Sequence, residues 1–195
     1  MTEQRPQGGL TLSQALALSP IIAAVKDEEQ LSLCLTSDCA AVFLLFGNIC
    51  NIGELVERVK AAGKLALVHM EFIDGLAPRE ISVSFVRRFT QADGILSTKP
   101  ALIRRARELG LTAVQRFFLI DSIAFENVHR QLAAGCADYV EVLPAVLPKI
   151  LRGICACAGA PVIASGLITD KEDVLTALDC GAAAVSSTNP QVWFM

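Results

Sequence analysis

Apolar residues along this chain gather into short runs rich in β-branched side chains. Each run gives way to a polar break and then to helical periodicity. Ile21-Ile-Ala-Ala-Val25 is the first run; Asp27-Glu-Glu29 follows it as a helix-starting signal, and the helix is predicted to reach about Thr36. Further strands are predicted at Ala41–Phe46, Leu65–Glu71, Gly94–Thr98, Thr112–Ile120, Asp138–Leu143, Ala160–Ser165 and Ala182–Ser187. The intervening helices are predicted from Asn48 to Gly63, Ile81 to Thr90, Pro100 to Gly110, Asp121 to Gly135, Pro144 to Ala158 and Asp170 to Cys180. Pro100 suits a first helical turn, where a missing N–H costs nothing.

Eight strands separated by single helical segments mean a parallel sheet covered by helices. The natural closure is a compact (β/α)8 TIM barrel of short loops, an α/β fold filling one domain over residues 20–195. An open doubly wound sheet is the alternative, although such sheets more often have about five or six strands. Residues 1–19 read as a polar tail followed by a short helix around Leu10 to Leu18.

Composition narrows the class. Hydrophobic residues make up 53% of the chain and charged residues 19%, yet charges or turns interrupt every apolar run before the roughly 18 to 20 residues that span a bilayer. Met1 to Gly9 is polar, with Glu3 and Arg5, and has no signal-peptide pattern, so a cytoplasmic location without membrane contact is expected. Of the cysteines, Cys34, Cys39, Cys50, Cys136, Cys155, Cys157 and Cys180, only Cys155-Ala-Cys157 makes a close pair, too tight for Cys-x-x-Cys. Nothing completes a zinc tetrahedron, so they read as small apolar residues and no metal is implied. Net charge is −3, unlike a strongly basic nucleic-acid binder. The local clusters Arg87-Arg88 and Arg104-Arg105-Ala-Arg107 fit solvated outer helix faces.

In a barrel the site lies at the C-terminal ends of the strands. Those ends carry Lys26, Phe46-Gly-Asn48, His69 and Glu71, Ser97-Thr-Lys99, Gln115-Arg116, Glu141, Ser165-Gly166 and Ser186-Ser-Thr188. Backbone N–H groups after Ser165-Gly166 and after Ser187-Thr188, near a helix N-terminus, form a candidate phosphate cradle; tight-turn and capping roles explain the same residues more plainly. Lys26 and Lys99 are candidates to neutralise the anion or are ordinary surface lysines. By alternation His69 and Glu71 share a face, as a ligand contact or a satisfied core histidine. Arg116 alternates with Val114 and Phe118, so it requires a carboxylate partner such as Glu141 or Glu71. His129 reads as exposed in mid-helix. No Gly-x-Gly-x-x-Gly or Walker-type loop is present, no cofactor is implied, and Glu71 and Glu141 are the candidate acid–base groups.

Several segments taken together resemble the glycerol uptake operon antiterminator regulatory protein family: Gly94-Ile-Leu-Ser-Thr-Lys99, Gln115-Arg-Phe-Phe-Leu-Ile-Asp-Ser122, Tyr139-Val-Glu-Val-Leu-Pro144, Ala164-Ser-Gly-Leu-Ile168 and Ser186-Ser-Thr188 with Trp193. The similarity runs from about Ser19 to Trp193. It implies a regulatory barrel that is not an enzyme, senses glycerol 3-phosphate and acts on leader mRNA to prevent termination. Ser165, Gly166, Ser187 and Thr188 would then cradle the phosphate, while His69, Glu71, Arg116 and Glu141 would face the glycerol end. Family sequences often have Gly-Gly where this chain has Ser165-Gly166, a change that preserves the turn. RNA contacts would fall to Arg87, Arg88, Arg104, Arg105 and Arg107, and the apolar Val192-Trp-Phe-Met195 end suggests a homo-oligomer. The competing reading is a sugar-phosphate enzyme of the isomerase, aldolase or prenyl-glycerol-phosphate synthase type on the same barrel.

Overall fold

The computed structural model describes residues 10–133 and 135–195, without the side chains of Ser122, Asn127, His129 and Ala133. The tail expected over 1–9 and the exposure expected of His129 lie outside the described residues. The elements follow in the order α1 (Leu12–Leu18), β1 (Ile21–Val25), α2 (Glu28–Cys34), β2 (Ala41–Leu44), α3 (Ile52–Ala61), β3 (Leu65–His69), α4 (Glu80–Phe89), β4 (Gly94–Ser97) and α5 (Pro100–Glu108). The second half continues with β5 (Thr112–Phe118), α6 (Ser122–Ala133), β6 (Tyr139–Leu143), α7 (Pro148–Cys157), β7 (Val162–Ser165), α8 (Lys171–Asp179), β8 (Ala184–Ser187) and α9 (Pro190–Trp193). All neighbours pair in parallel, and β8 pairs with β1, so the sheet closes as the (β/α)8 barrel the sequence predicts.

Two apolar layers follow from strand alternation. Ile22, Ala24, Ala41, Phe43, Leu65, Leu67, Leu96, Val114, Tyr139, Ile163 and Ala184 fill the barrel interior, and Leu12, Ala15 and Leu16 of α1 join them. Helix α1 thus packs with the barrel core. A capping box fixes its start: Thr11 Oγ1 accepts from the Gln14 N–H, and Gln14 Oε1 accepts from the Thr11 N–H at 2.8 Å. The alternate residues, among them Val42, Leu44, Ala66, Val68, Ile95, Val142 and Val185, pack outward against the helices. Gly94 occupies a close approach of β4 and β5, because a Cβ there would lie 2.3 Å from the Thr112 carbonyl oxygen.

The N-terminal ends of the strands are stapled by a device used twice. Asp93 accepts from the Ala66 N–H on β3 at 2.9 Å and pairs with Lys60 of α3 at 2.8 Å. Asp138 accepts from the Ala113 N–H on β5 at 2.9 Å and pairs with Arg107 of α5 at 3.2 Å. The opposite ends depart from the predicted pattern. Strand β3 stops at His69, and Met70–Phe72 forms a short 3-10 turn, so Glu71 leaves the strand and its alternation. Helix α7 starts at Pro148 in its first turn rather than at Pro144. Of the cysteines, Cys34, Cys39 and Cys180 are buried, and burial pushes the Cys34 thiol up to about 11. Cys50 and Cys157 are exposed, contrary to a uniformly packed role. Among the described residues no helix is long and apolar enough to cross a membrane.

Candidate functional site

The C-terminal mouth of the barrel holds a cavity of about 280 Å³ over β7 and β8. That is just below the roughly 300–1,000 Å³ typical of drug-sized ligands, so it suits a small metabolite. Ser165, Gly166, Leu167, Ile168 and Thr169 form one wall, Ser186, Ser187, Thr188 and Asn189 a second, and Arg116 from β5 reaches in from across the sheet.

The two walls are built by local chemistry. After Ser165 the chain reverses through Gly166 at φ +77° and Leu167 at φ +60°, a left-handed pair. Glycine is suited to the first position by that φ, although a Cβ there would meet Leu143 and Pro144 only at contact distance, 3.4 Å. Leucine at the second is strained, and its side chain is exposed. Ser187 Oγ donates to the Ile168 carbonyl at 2.8 Å and accepts from the Asn189 N–H at 3.0 Å; Asn189 Nδ2 donates to the Thr169 carbonyl at 2.9 Å. These bonds clamp the β7 loop to the β8 end. They leave the N–H groups of Gly166, Leu167 and Thr188, and the Thr188 hydroxyl, without partners among the described residues.

The helix that follows does not supply the anion site. Asp170 caps α8 by accepting from the Asp173 N–H at 2.9 Å, and Asp173 accepts from the Thr169 N–H and hydroxyl. Those bonds, the Thr169 N–H foremost, hold the Asp173 carboxyl below its usual range. Two carboxylates already occupy that helix start, which leaves the loop N–H groups ahead of it as the open donors.

Ser165, Gly166, Ser187, Thr188 and Arg116 are therefore brought together around one cavity. Arg116 Nε donates to Glu141 Oε2 at 2.6 Å, with Glu141 fully buried and Arg116 nearly so. Of the two partners considered from sequence, Glu141 is the one used. The second oxygen of Glu141 is buried without a hydrogen bond, as are the Ser186 hydroxyl, both His69 ring nitrogens and Glu71 Oε2. His69 Nδ1 lies 3.3 Å from Glu71 Oε2, but this is no ion pair. Burial, aided by the Arg116 charge, pushes the His69 imidazole down to about 3, so it is neutral. Its ring stacks on Phe72 at 4.1 Å between centroids. Glu71 turns its other oxygen to β4, accepting from Ser97 Oγ at 2.6 Å, the Thr98 N–H at 3.1 Å and Thr98 Oγ1 at 3.2 Å.

Lys26 and Lys99 are exposed and do not line the cavity. Lys26 follows β1, the neighbour of β8, whereas Lys99 follows β4 on the far side of the ring. Ser186, absent from the expected cradle, also lines the cavity. Gln30 was also missed: its side chain accepts from the Lys26 N–H and reaches the Thr188 carbonyl at 3.5 Å. Period-two alternation from Ala184 would have placed Ser186, and not Ser187, on the inner face.

The arginine clusters are largely committed within the chain. Arg87 Nε donates to the Leu109 carbonyl, Arg105 pairs with Glu108 and Ser84, and Arg107 bonds Asp138 and the Gly135 carbonyl. Arg88 lies over the Phe89 ring at 5.3 Å, and both Arg88 and Arg104 are exposed. At the C-terminus Val192 and Trp193 are buried within the chain itself, Trp193 Nε1 donating to the Ser187 carbonyl at 2.8 Å. Only Phe194 and Met195 of that end are half-exposed.

Comparison with known proteins extends this picture. A family model described as glycerol-3-phosphate responsive antiterminator matches residues 21–193. The Escherichia coli (strain K12) protein YgcP is 39% identical over 184 residues, covering 94% of this chain and 96% of the relative. The crystal structure of a glycerol uptake operon antiterminator regulatory protein from Listeria monocytogenes superposes with a TM-score of 0.85 at 29% identity, over 89% of this chain and 94% of that one. A glycerol uptake operon antiterminator-related protein from Thermotoga maritima gives a TM-score of 0.77 at 36% identity, over 90% and 98%. Deoxyribose phosphate aldolase from Aeropyrum pernix, at 17% identity and a TM-score of 0.67, shares the fold alone. With a model match over nearly the whole barrel, the chain belongs to the glycerol-3-phosphate responsive antiterminator family.

Proposed function

We propose that the mouth cavity binds glycerol 3-phosphate and that its occupancy controls a contact with the leader of a glycerol-operon transcript. The phosphate sits against the Gly166–Leu167 turn and Thr188, and the glycerol end points toward Arg116 and Glu141, with His69 and Glu71 beyond. The observation carrying this reading is the pairing of the Gly166, Leu167 and Thr188 donors, which lack partners among the described residues, with a guanidinium held at the same cavity. Gly166 is half-buried and Leu167 and Thr188 are exposed, so their donors are open to a ligand, and a phosphate with adjacent hydroxyls satisfies them together. The protein then acts as a sensor and not as a catalyst. In support, Arg116 occupies one oxygen of Glu141, and Glu71 is engaged by Ser97 and Thr98. No lysine lines the described cavity.

Calorimetric titration with glycerol 3-phosphate tests the ligand; no heat together with no thermal stabilisation refutes it. For the transcript, Arg88 and Arg104 are the contacts we favour, because Arg87, Arg105 and Arg107 hold the helices together. A gel shift with the leader RNA, with and without ligand and across salt, reads this directly. Unchanged affinity after charge reversal at Arg88 and Arg104 rejects that surface. Self-association would cover the exposed Phe118, Ile120 and Leu147 beside the mouth, and sedimentation reads it.

A further inference from the structure

The mouth of this barrel contains the same construction twice. Strands β4 and β8 end in Ser97-Thr98-Lys99-Pro100 and Ser187-Thr188-Asn189-Pro190, and both prolines open the following helix. Their registers correspond as well. Leu67 lies opposite Gly94 and His69 opposite Leu96 on one side; Ile163 lies opposite Ala184 and Ser165 opposite Ser186 on the other. Both serines accept from the N–H two residues on, Lys99 and Asn189, each at 3.0 Å. Both donate to an acceptor in the loop of the preceding strand, Glu71 Oε1 and the Ile168 carbonyl. The β3–β4 rim is thus the structural counterpart, half a barrel away, of the β7–β8 rim.

The two rims differ in one respect. At β8 the Thr188 N–H and hydroxyl have no partner among the described residues, and the buried Ser186 hydroxyl beside them has none. At β4 the equivalent Thr98 N–H and hydroxyl both donate to a carboxylate oxygen of Glu71, which also takes the Ser97 hydroxyl. Three donors on one anionic oxygen is an arrangement that a phosphate or sulfate oxygen would take as readily as a carboxylate. Here the chain supplies the anion. The 3-10 turn Met70–Phe72 is what delivers it, because it lifts Glu71 off β3 and over the end of β4.

We infer that Glu71 is a resident anion, filling the β3–β4 counterpart of the ligand-phosphate cradle and so confining the mouth to one ligand phosphate. The inference rests on the reading of the β7–β8 rim as the ligand's phosphate site. A second phosphate group would have to share the Thr98 donors with a carboxylate, and like charges sharing a site oppose each other's ionisation. The neighbouring imidazole, being neutral, offers no compensating charge. Glu71 is then a specificity residue that divides the mouth into an open anion side and a closed one.

Inorganic phosphate is the probe, and stoichiometry by calorimetry is the readout. The parent protein is expected to bind one phosphate and Glu71→Ala two. Glu71→Gln, which keeps an acceptor for Ser97 and Thr98 but removes the charge, should take the second phosphate more weakly than Glu71→Ala. A Glu71→Ala protein that binds no more phosphate than the parent overturns the inference. If Glu71→Ala folds poorly, its melting temperature should climb more steeply with phosphate than the parent's, and parallel rises overturn the inference equally. Should the parent bind no phosphate while Glu71→Ala binds one, the resident anion stands and the β7–β8 ligand reading falls.

Discussion

The two ends of this barrel are made from the same eight strands and obey opposite rules. At the N-terminal end, Ala41, Leu65 and the α1 residues Leu12 and Leu16 are buried in apolar contact, and the staples at Asp93 and Asp138 satisfy the strand N–H groups they reach. At the C-terminal end, five buried polar atoms on His69, Glu71, Glu141 and Ser186 have no hydrogen bond. An unmade buried hydrogen bond costs about 1–3 kcal/mol, so a chain selected for stability alone would not gather them. The contrast shows one end organised for stability and the other carrying polar groups that a ligand can complete.

Substitutions of equal cost at the two ends break the comparison most sharply. Leu65→Ala should lose about 2–5 kcal/mol of stability by leaving a cavity. Arg116→Ala should lose a similar amount, about 3–5 kcal/mol, by stranding the buried Glu141 carboxylate. Chemical denaturation measures both. Only Arg116→Ala is expected to abolish glycerol 3-phosphate binding when the titration is run well below the unfolding midpoint. Equal loss of binding in the two variants would make the ends functionally alike.

Acid is the next lever. The folded pKa of His69, about 3, lies below the ordinary 6.5, so between those values the unfolded chain binds the extra proton. Stability from this group is therefore complete above pH 6.5 and declines as pH falls toward 3, by at most about 1.4 kcal/mol per pH unit. His69→Asn should flatten that slope in denaturation series at decreasing pH; an unaltered slope would mean that the imidazole is not held neutral. A smaller effect is expected from Ser186→Ala. It removes a hydroxyl without a partner, so stability should hold or rise by up to about 1 kcal/mol while the ligand Kd rises about tenfold. The smallest change belongs to the closed end. Thr11→Ala deletes the cap of α1 and should cost about 1 kcal/mol with no effect on ligand affinity.

How far the site could be read from sequence depended on whether a residue's role was local. The Ser165-Gly166 turn was legible because a left-handed position after a strand favours glycine whatever surrounds it. Arg116 was legible as needing a carboxylate, but two were available, and strand pairing in register with Glu141 chose between them. Strand alternation is not what sets Glu71 beside His69: β3 ends at His69, two residues before it, and the Met70–Phe72 turn brings the two within 3.3 Å. Ser187 and Thr188 do line the cavity, and Ser186 joins them there, with a buried hydroxyl on the inner face that alternation from Ala184 gives it. The arginines looked like one basic patch, since helix periodicity gives the outward face but not which carbonyls and carboxylates lie beneath it.

The order of elements and the closed eight-stranded architecture were set by the sequence alone, because hydrophobic periodicity and punctuation by Gly and Pro are local properties that every strand and helix must satisfy for itself. Tertiary structure decided which strand ends share one cavity, that Asp170 and Asp173 close off the helix start, and that Glu71 occupies the counterpart of the open cradle. Those outcomes depend on barrel closure, which brings β5, β7 and β8 around a common space and sets β4 half a turn away. No window of sequence contains that distance.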